Sequence, residues 1–197
     1  MDLNQHCLKR KSGAQAGDIL LLTKPLGTGI AIAARQQAAF SDTDYAGALK
    51  VLRTSNRVGA LLGEQAGVTA MTDITGFGLL GHMSEVADSS RVTLQLRLGD
   101  VPVLPGALNA ARDGAIPVLA ADNLRTYSCR CDFDTSLREH ERLLLCDPQT
   151  NGGLLIAVRP EARDAVLDGL ADAGSGAWMI GQVTARRSDG MLVEVAR

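Results

Sequence analysis

The run Met71-Thr72-Asp73-Ile74-Thr75-Gly76-Phe77-Gly78-Leu79-Leu80-Gly81-His82 places one carboxylate, two hydroxyls and three glycines between apolar positions. That mixture suits backbone lying close to a ligand better than a plain core element. A carboxylate in a Gly/Thr loop can ligate Mg²⁺, a hard cation that also takes phosphate oxygens and water. A helix is predicted to open near Gly76 or Phe77, and its unpaired N–H groups would favour an anion close by. Thr72 and Thr75 would then orient the Asp73 carboxylate or donate to phosphate. The competing reading is a helix cap, with Asp73 or Thr75 satisfying the first turn. One carboxylate does not make a metal site, so its partners must come from elsewhere.

Two other blocks carry similar residue types. Thr23-Lys24-Pro25-Leu26-Gly27-Thr28-Gly29 follows a predicted strand. Lys24 can neutralise phosphate there, with Gly27 and Thr28 bringing backbone close; equally, Pro25 and the glycines can simply build a turn. The spacing is not that of a P-loop. Asp147-Pro148-Gln149-Thr150-Asn151-Gly152-Gly153 precedes another predicted strand, and either aims that strand or brings Asp147 and Gln149 to a cleft. His82 is read as a packing or capping residue, and His6 and His140 have no neighbouring ligand pattern. Cys7, Cys129, Cys131 and Cys146 form no structural zinc signature and read as reduced thiols of a cytoplasmic protein.

These blocks need a scaffold. Strands are predicted at Ile19–Thr23, Arg91–Leu98 and Leu154–Val158, the second from its alternation of Val92, Leu94, Leu96 and Leu98. Trp178–Val183 and Met191–Val195 read as a hairpin-like pair around Ser188-Asp189-Gly190. Helices are predicted at Ile30–Phe40 with Thr28 as a cap, across Asp44–Gln65 with an interruption near Thr54-Ser55-Asn56 and Gly67 as terminator, and at Phe77–Ala87. Further helices are predicted at Leu104–Arg112, Leu137–Leu145 and from Pro160 to Asp172. Leu119–Asp134 shows no period and reads as a loop or partly ordered excursion. Strand and helix alternate without repetition, so the fold class is α/β (α+β), a mixed sheet packed with helices. Residues 1–16 read as an incoming segment or interdomain linker, and 17–197 as one domain.

Composition excludes several functions. With 20 basic and 22 acidic residues the net charge is -2, and aromatics make up 3%. Neither the excess charge for a nucleic-acid backbone nor the rings for base stacking are present. No apolar run approaches the length that spans a bilayer, and no signal-peptide pattern follows Met1. An apolar fraction of 46% is enough for a core built from Leu, Val, Ile and Ala.

Taken together, the three blocks resemble the selenophosphate synthetase (selenide, water dikinase) family, in order and separation as well as in residues. The likeness covers essentially residues 9 to 197, and Thr72-Asp73-Ile74-Thr75-Gly76-Phe77-Gly78-Leu79 is its most specific part. One departure is Asn151, where the family usually has Ser. The resemblance implies an ATP-dependent conversion of selenide and water to selenophosphate, AMP and phosphate, with Mg²⁺ as cofactor and a homodimer as the complete enzyme. It also implies a fold like the carboxy-terminal domain of aminoimidazole ribonucleotide synthetase, thiamine-monophosphate kinase and a hydrogenase maturation factor. Asp73 matches the family carboxylate that helps hold Mg²⁺ against the nucleotide phosphates. The family's amino-terminal ATP-binding domain carries the reactive Cys or selenocysteine and further metal-binding Asp residues, none of which precedes Cys7. The expectation is therefore a carboxy-terminal part that is inactive alone, the alternatives being a domain of a related ATP-dependent synthetase or kinase, or a non-catalytic dimerisation module.

Overall fold

A computed structural model describes residues 8–197. His6 and Cys7 lie outside the described residues. The elements are β1 (Ile19–Leu22), α1 (Thr28–Gln36), α2 (Asp42–Arg53), α3 (Val58–Glu64), β2 (Val68–Asp73), α4 (Gly78–Ser90), β3 (Val92–Arg97), α5 (Ala107–Arg112), α6 (Val118–Tyr127), β4 (Cys131–Phe133), α7 (Glu139–Leu145), β5 (Leu154–Val158), α8 (Arg163–Asp172), β6 (Trp178–Ala185) and β7 (Val193–Ala196). The strands form one mixed sheet in the order β2-β5-β1-β6-β3-β7-β4. β5 runs antiparallel to both β2 and β1, whereas β3 and β4 each run parallel to β7.

Side-chain alternation divides the core. Leu20 and Leu22 of β1 join Leu155 and Ala157 of β5 in a large core that also holds Ile30, Leu79, Met83 and Leu94. Leu21, Ile156 and Val158 point to the opposite face, where Val58 and Leu62 of α3 and Val166 and Leu170 of α8 cover them. Strands buried on both faces read as unbroken apolar runs, as Ile19–Leu22 and Leu154–Val158 do. Beyond β1 that second face turns polar: Gln182 Nε2 donates to Gln95 Oε1 at 2.6 Å, and Gln95 Nε2 donates to Glu194 Oε2 at 3.0 Å.

Several predicted elements are corrected. α1 starts at Thr28 and stops at Gln36, before a left-handed Ala38. The second helical region breaks at the expected Thr54-Ser55-Asn56, into α2 capped by the Ser41 hydroxyl and α3 ending at Glu64; its cap is Gln65, so Gly67 is not the terminator. The segment read as a loop from Leu119 contains α6 and β4. Its periodicity is hidden because Val118 and Leu119 face outward, at 82% and 46% exposure, while Ala120 and Asn123 face the core. β6 and β7 do not pair as a hairpin, because β3 lies between them. The connection crosses the start of β3, pegged by Thr93, whose Oγ1 donates to Met191 O and accepts from the Arg187 N–H.

Candidate functional site

The strand order brings the carboxyl ends of β1 and β2 and the amino end of β5 to one end of the sheet. The three blocks, far apart in sequence, therefore meet. Ile74 N–H donates to Gly153 O at 2.8 Å, Gln149 N–H to Thr75 O at 3.0 Å, and Thr23 N–H to Leu154 O at 3.1 Å. Side-chain bonds add to these: the Leu154 N–H reaches Thr23 Oγ1 at 2.8 Å, and Asn56 Nδ2 reaches Gly152 O at 2.8 Å. The third block needs its glycines because a Cβ on Gly152 would sit 2.5 Å from Ile74 O, and one on Gly153 2.5 Å from Lys24 N. The middle block is thus seated on the third, and the third on the first.

Within this junction the predicted residues separate into two groups. Thr72, Asp73 and Thr75 lie together on the rim, with Asp73 exposed. Among the described residues nothing hydrogen-bonds the Asp73 carboxylate. The capping alternative does not hold, since α4 follows Phe77 with no side-chain cap. The Thr75 hydroxyl instead lies 3.0 Å from His82 Nε2, and Thr72 Oγ1 makes a long contact of 3.4 Å to Asp73 O. Burial lowers the His82 pKa, against the opposing pull of Glu85 and Asp73.

Lys24, Gly27 and Thr28, expected on the phosphate side, have groups engaged inside the protein. Lys24 is 5% exposed. Its ammonium donates to Thr54 O at 2.7 Å and Asn151 O at 2.9 Å, tying the first and third blocks to the end of α2. Desolvation lowers its pKa. Gly27 takes a φ of 112° ahead of α1, with Ala107 of α5 where its Cβ would stand. The wholly buried Thr28 donates its hydroxyl to Gln149 Oε1 at 2.9 Å. The amino end of α1 is filled by this protein's own Asp147, whose Oδ2 accepts from Gly29 N–H at 3.0 Å and Gln149 Nε2 at 2.7 Å. Asp147 and Gln149 are therefore internal struts and do not face a cleft.

The role of Lys24 is testable by stability. Lys24→Met keeps the aliphatic stem but leaves two carbonyls without their donor, an expected loss of about 2 kcal/mol. Urea unfolding with an unchanged midpoint would show that the ammonium contributes nothing to the junction.

Two contributors were not visible as such in the sequence. Asn123 of α6 donates its amide to Gly76 O at 2.8 Å and Cys146 O at 3.1 Å, holding the glycine loop from the far side. His82 holds it from within α4. Among the described residues no cluster of three or more His, Cys, Asp or Glu could hold a metal ion. Asp73 is a single carboxylate. That fits Mg²⁺ as one donor of a shared set, since this ion keeps waters and phosphate oxygens in most of its positions.

Comparison with known proteins agrees with this architecture. The family described as AIR synthase related protein, C-terminal domain, matches residues 15–194. A selenide, water dikinase of Pseudomonas aeruginosa is 43% identical over 181 residues, covering 92% of this chain and 52% of that protein. One from Paraburkholderia xenovorans is 43% identical over 171 residues, covering 84% of this chain and 48% of that protein. The chain thus spans about half the length of the curated relatives it matches. Among solved structures, thiamine-monophosphate kinase from Stenotrophomonas maltophilia superposes with a TM-score of 0.66 at 22% identity, over 95% of this chain and 52% of that one. E. coli HypE gives 0.66 at 21% identity, over 98% of this chain and 50% of that one. At those identities the likeness is one of fold. The chain belongs to the AIR synthase related protein family, as its C-terminal domain.

Proposed function

We propose that this chain is the carboxy-terminal part of a selenide, water dikinase, which uses ATP, selenide and water to make selenophosphate, AMP and phosphate. The observation that carries the reading is Asp73: an exposed carboxylate without a partner among the described residues, on a loop seated on the third block, in a chain 43% identical to proteins of that name. Asp73 would give one oxygen to Mg²⁺, and Thr72 and Thr75 would line the phosphate side. Phosphoryl transfer depends on several positive centres fixed around the developing charge. One carboxylate cannot assemble them, so the site is shared with an amino-terminal domain, and the complete enzyme works as a homodimer. The apolar rim beside the loop, with Phe77 47% exposed and Val118 and Leu119 facing outward, supports a covering partner. The three described thiols stand free, which supports a reducing, cytoplasmic setting. No described helix is long and apolar enough to cross a membrane.

The test is selenide-dependent AMP formation from ATP and Mg²⁺, with this chain alone and with an added amino-terminal domain from a relative. The expected result is no turnover alone, turnover in the mixture, and a loss of about 10²-fold or more on Asp73→Ala. An assembled mixture that turns over equally well with Asp73→Ala would remove Asp73 from the site. ATP use without any need for selenide would favour a related kinase of the same fold.

A further inference from the structure

We propose that His82 is a positioning residue for the Asp73 loop, acting as the acceptor that fixes the Thr75 peptide; the inference rests on the reading of Asp73 above. His82 lies one turn into α4 and is 6% exposed. Its ring reaches back past the helix start, and the Thr75 N–H donates to Nε2 at 3.0 Å. A backbone N–H can only donate, so Nε2 carries the lone pair and the proton sits on Nδ1. Nδ1 is 3.3 Å from Glu85 Oε2, off the line of a good hydrogen bond, and Glu85 Oε1 in turn pairs with Lys11 at 3.2 Å. The Glu85 carboxylate beside Nδ1 favours a proton there, and Lys11 ties this chain of contacts to the segment ahead of β1.

The loop gives the bond its meaning. Ile74 is fully buried, and its N–H is held by Gly153 O. Thr75 O accepts from both Gln149 N–H and Gly78 N–H. The Thr75 N–H is the remaining backbone group of that residue, and the imidazole alone takes it. Without an acceptor there, the peptide between Ile74 and Thr75 would leave a part-buried donor unpaired and would rotate toward solvent. That rotation displaces Thr75 with its hydroxyl and removes the restraint on the carboxyl side of the Asp73–Ile74 segment. A histidine that merely fills space would be replaceable by leucine; one that accepts at Nε2 is replaceable only by a side chain with an oxygen in that place, as in glutamine.

The experiment compares His82→Gln, His82→Asn and His82→Leu in this full chain by amide hydrogen exchange at Thr75. Turnover with the added amino-terminal domain is followed beside it. Asparagine places its amide near Nδ1 and leaves the Nε2 position empty, so it serves if the leucine variant does not fold. The expected result is Thr75 exchange about tenfold faster or more in His82→Leu and His82→Asn, with the strand amides unchanged. Turnover should fall about tenfold or more in the same two variants, and both readouts should stay within about threefold of the parent in His82→Gln. Unchanged Thr75 protection in His82→Asn, or equal turnover losses in His82→Gln and His82→Asn, would overturn the inference. Failure of the Asp73 reading is distinguishable: it appears as turnover indifferent to Asp73→Ala, while Thr75 exchange still decides whether His82 holds the loop.

Discussion

Gly78→Ala should lose about 2–4 kcal/mol of stability, a large share of what a domain of this size possesses. Gly76→Ala, two residues earlier in the same motif, should lose less than about 1 kcal/mol. The difference lies in what a Cβ would meet. Gly78 opens α4 at a φ of 68°, and its Cβ would stand 2.6 Å from Cys146 C, 2.7 Å from Cys146 O and 2.8 Å from Cys146 Cα. The left-handed conformation alone costs alanine about 1 kcal/mol. The overlap is with backbone that cannot rotate away, at a fully buried cysteine following α7, so α4 or the 145–147 segment must shift at a further 1–3 kcal/mol or so. Gly76 has no positive φ, and the nearest atom to its Cβ would be Leu119 Cδ2 at 4.0 Å. Urea unfolding of the two variants decides the point, and equal losses would show that the contact with Cys146 is not what Gly78 provides.

That pair also shows which parts of the motif a sequence can display. Three glycines in twelve residues announce close backbone approaches, but not what is approached. The answer for Gly78 is Cys146, 68 positions away, and for the α1 amino end it is Asp147, 118 positions from Gly29. A glycine loop between strand and helix presents the same residue types whether a phosphate or an internal carboxylate fills it. The family likeness points to Lys24 and Thr28 as phosphate-side contacts, and in the structure their hydrogen bonds lie within the junction. Asp73 differs because its distinguishing property is the lack of a partner among the described residues, and no local pattern reveals that.

The fold divides in the same way. Ile19–Leu22 and Leu154–Val158 are legible because both faces of those strands are apolar, which no alternative packing would leave in water. α6 is not legible because its inward residues are Ala120 and Asn123, one too small and the other too polar to register in an apolar period. The terminal strands are each legible, but their insertion of β3 depends on Thr93, whose two hydrogen bonds reach 94 and 98 residues along the chain. His82 belongs with these: buried histidines usually pack, and its partner Thr75 lies outside the helix that carries it.

Asp147→Asn should change the pH dependence of stability more than any other single substitution at the junction. Asp147 is wholly buried, and that burial pushes its carboxyl up to about 7, against the bonds from Gln149, Gly29 and Ile30 that favour the charged form. An acid whose pKa is raised by folding stabilises the folded state most when both states are protonated, below its ordinary value of 3.8. As pH rises through 3.8 the unfolded chain releases the proton while the folded chain keeps it, so stability falls until about pH 7 and is level above it. The gap corresponds to roughly 4 kcal/mol across that window. Asparagine keeps an oxygen for Gly29 N–H and Gln149 Nε2 but has no proton to release. Its amide would occupy the place of Oδ1, which has no partner, adding a penalty of about 1–3 kcal/mol that does not vary with pH. The diagnostic quantity is therefore the slope of the difference between the two proteins, not its offset. Asp88, Asp134, Asp164 and Asp189 are held below the usual carboxylate range by arginine or hydroxyl partners, act in the opposite sense at lower pH, and cancel in the difference. Urea unfolding of both proteins from about pH 4 to about pH 7.5 should show Asp147→Asn gaining steadily on the parent. Parallel curves would mean that the amino end of α1 stabilises the Asp147 charge enough to cancel the cost of burying it, and that the first block's helix binds an anion after all, one supplied by the protein itself.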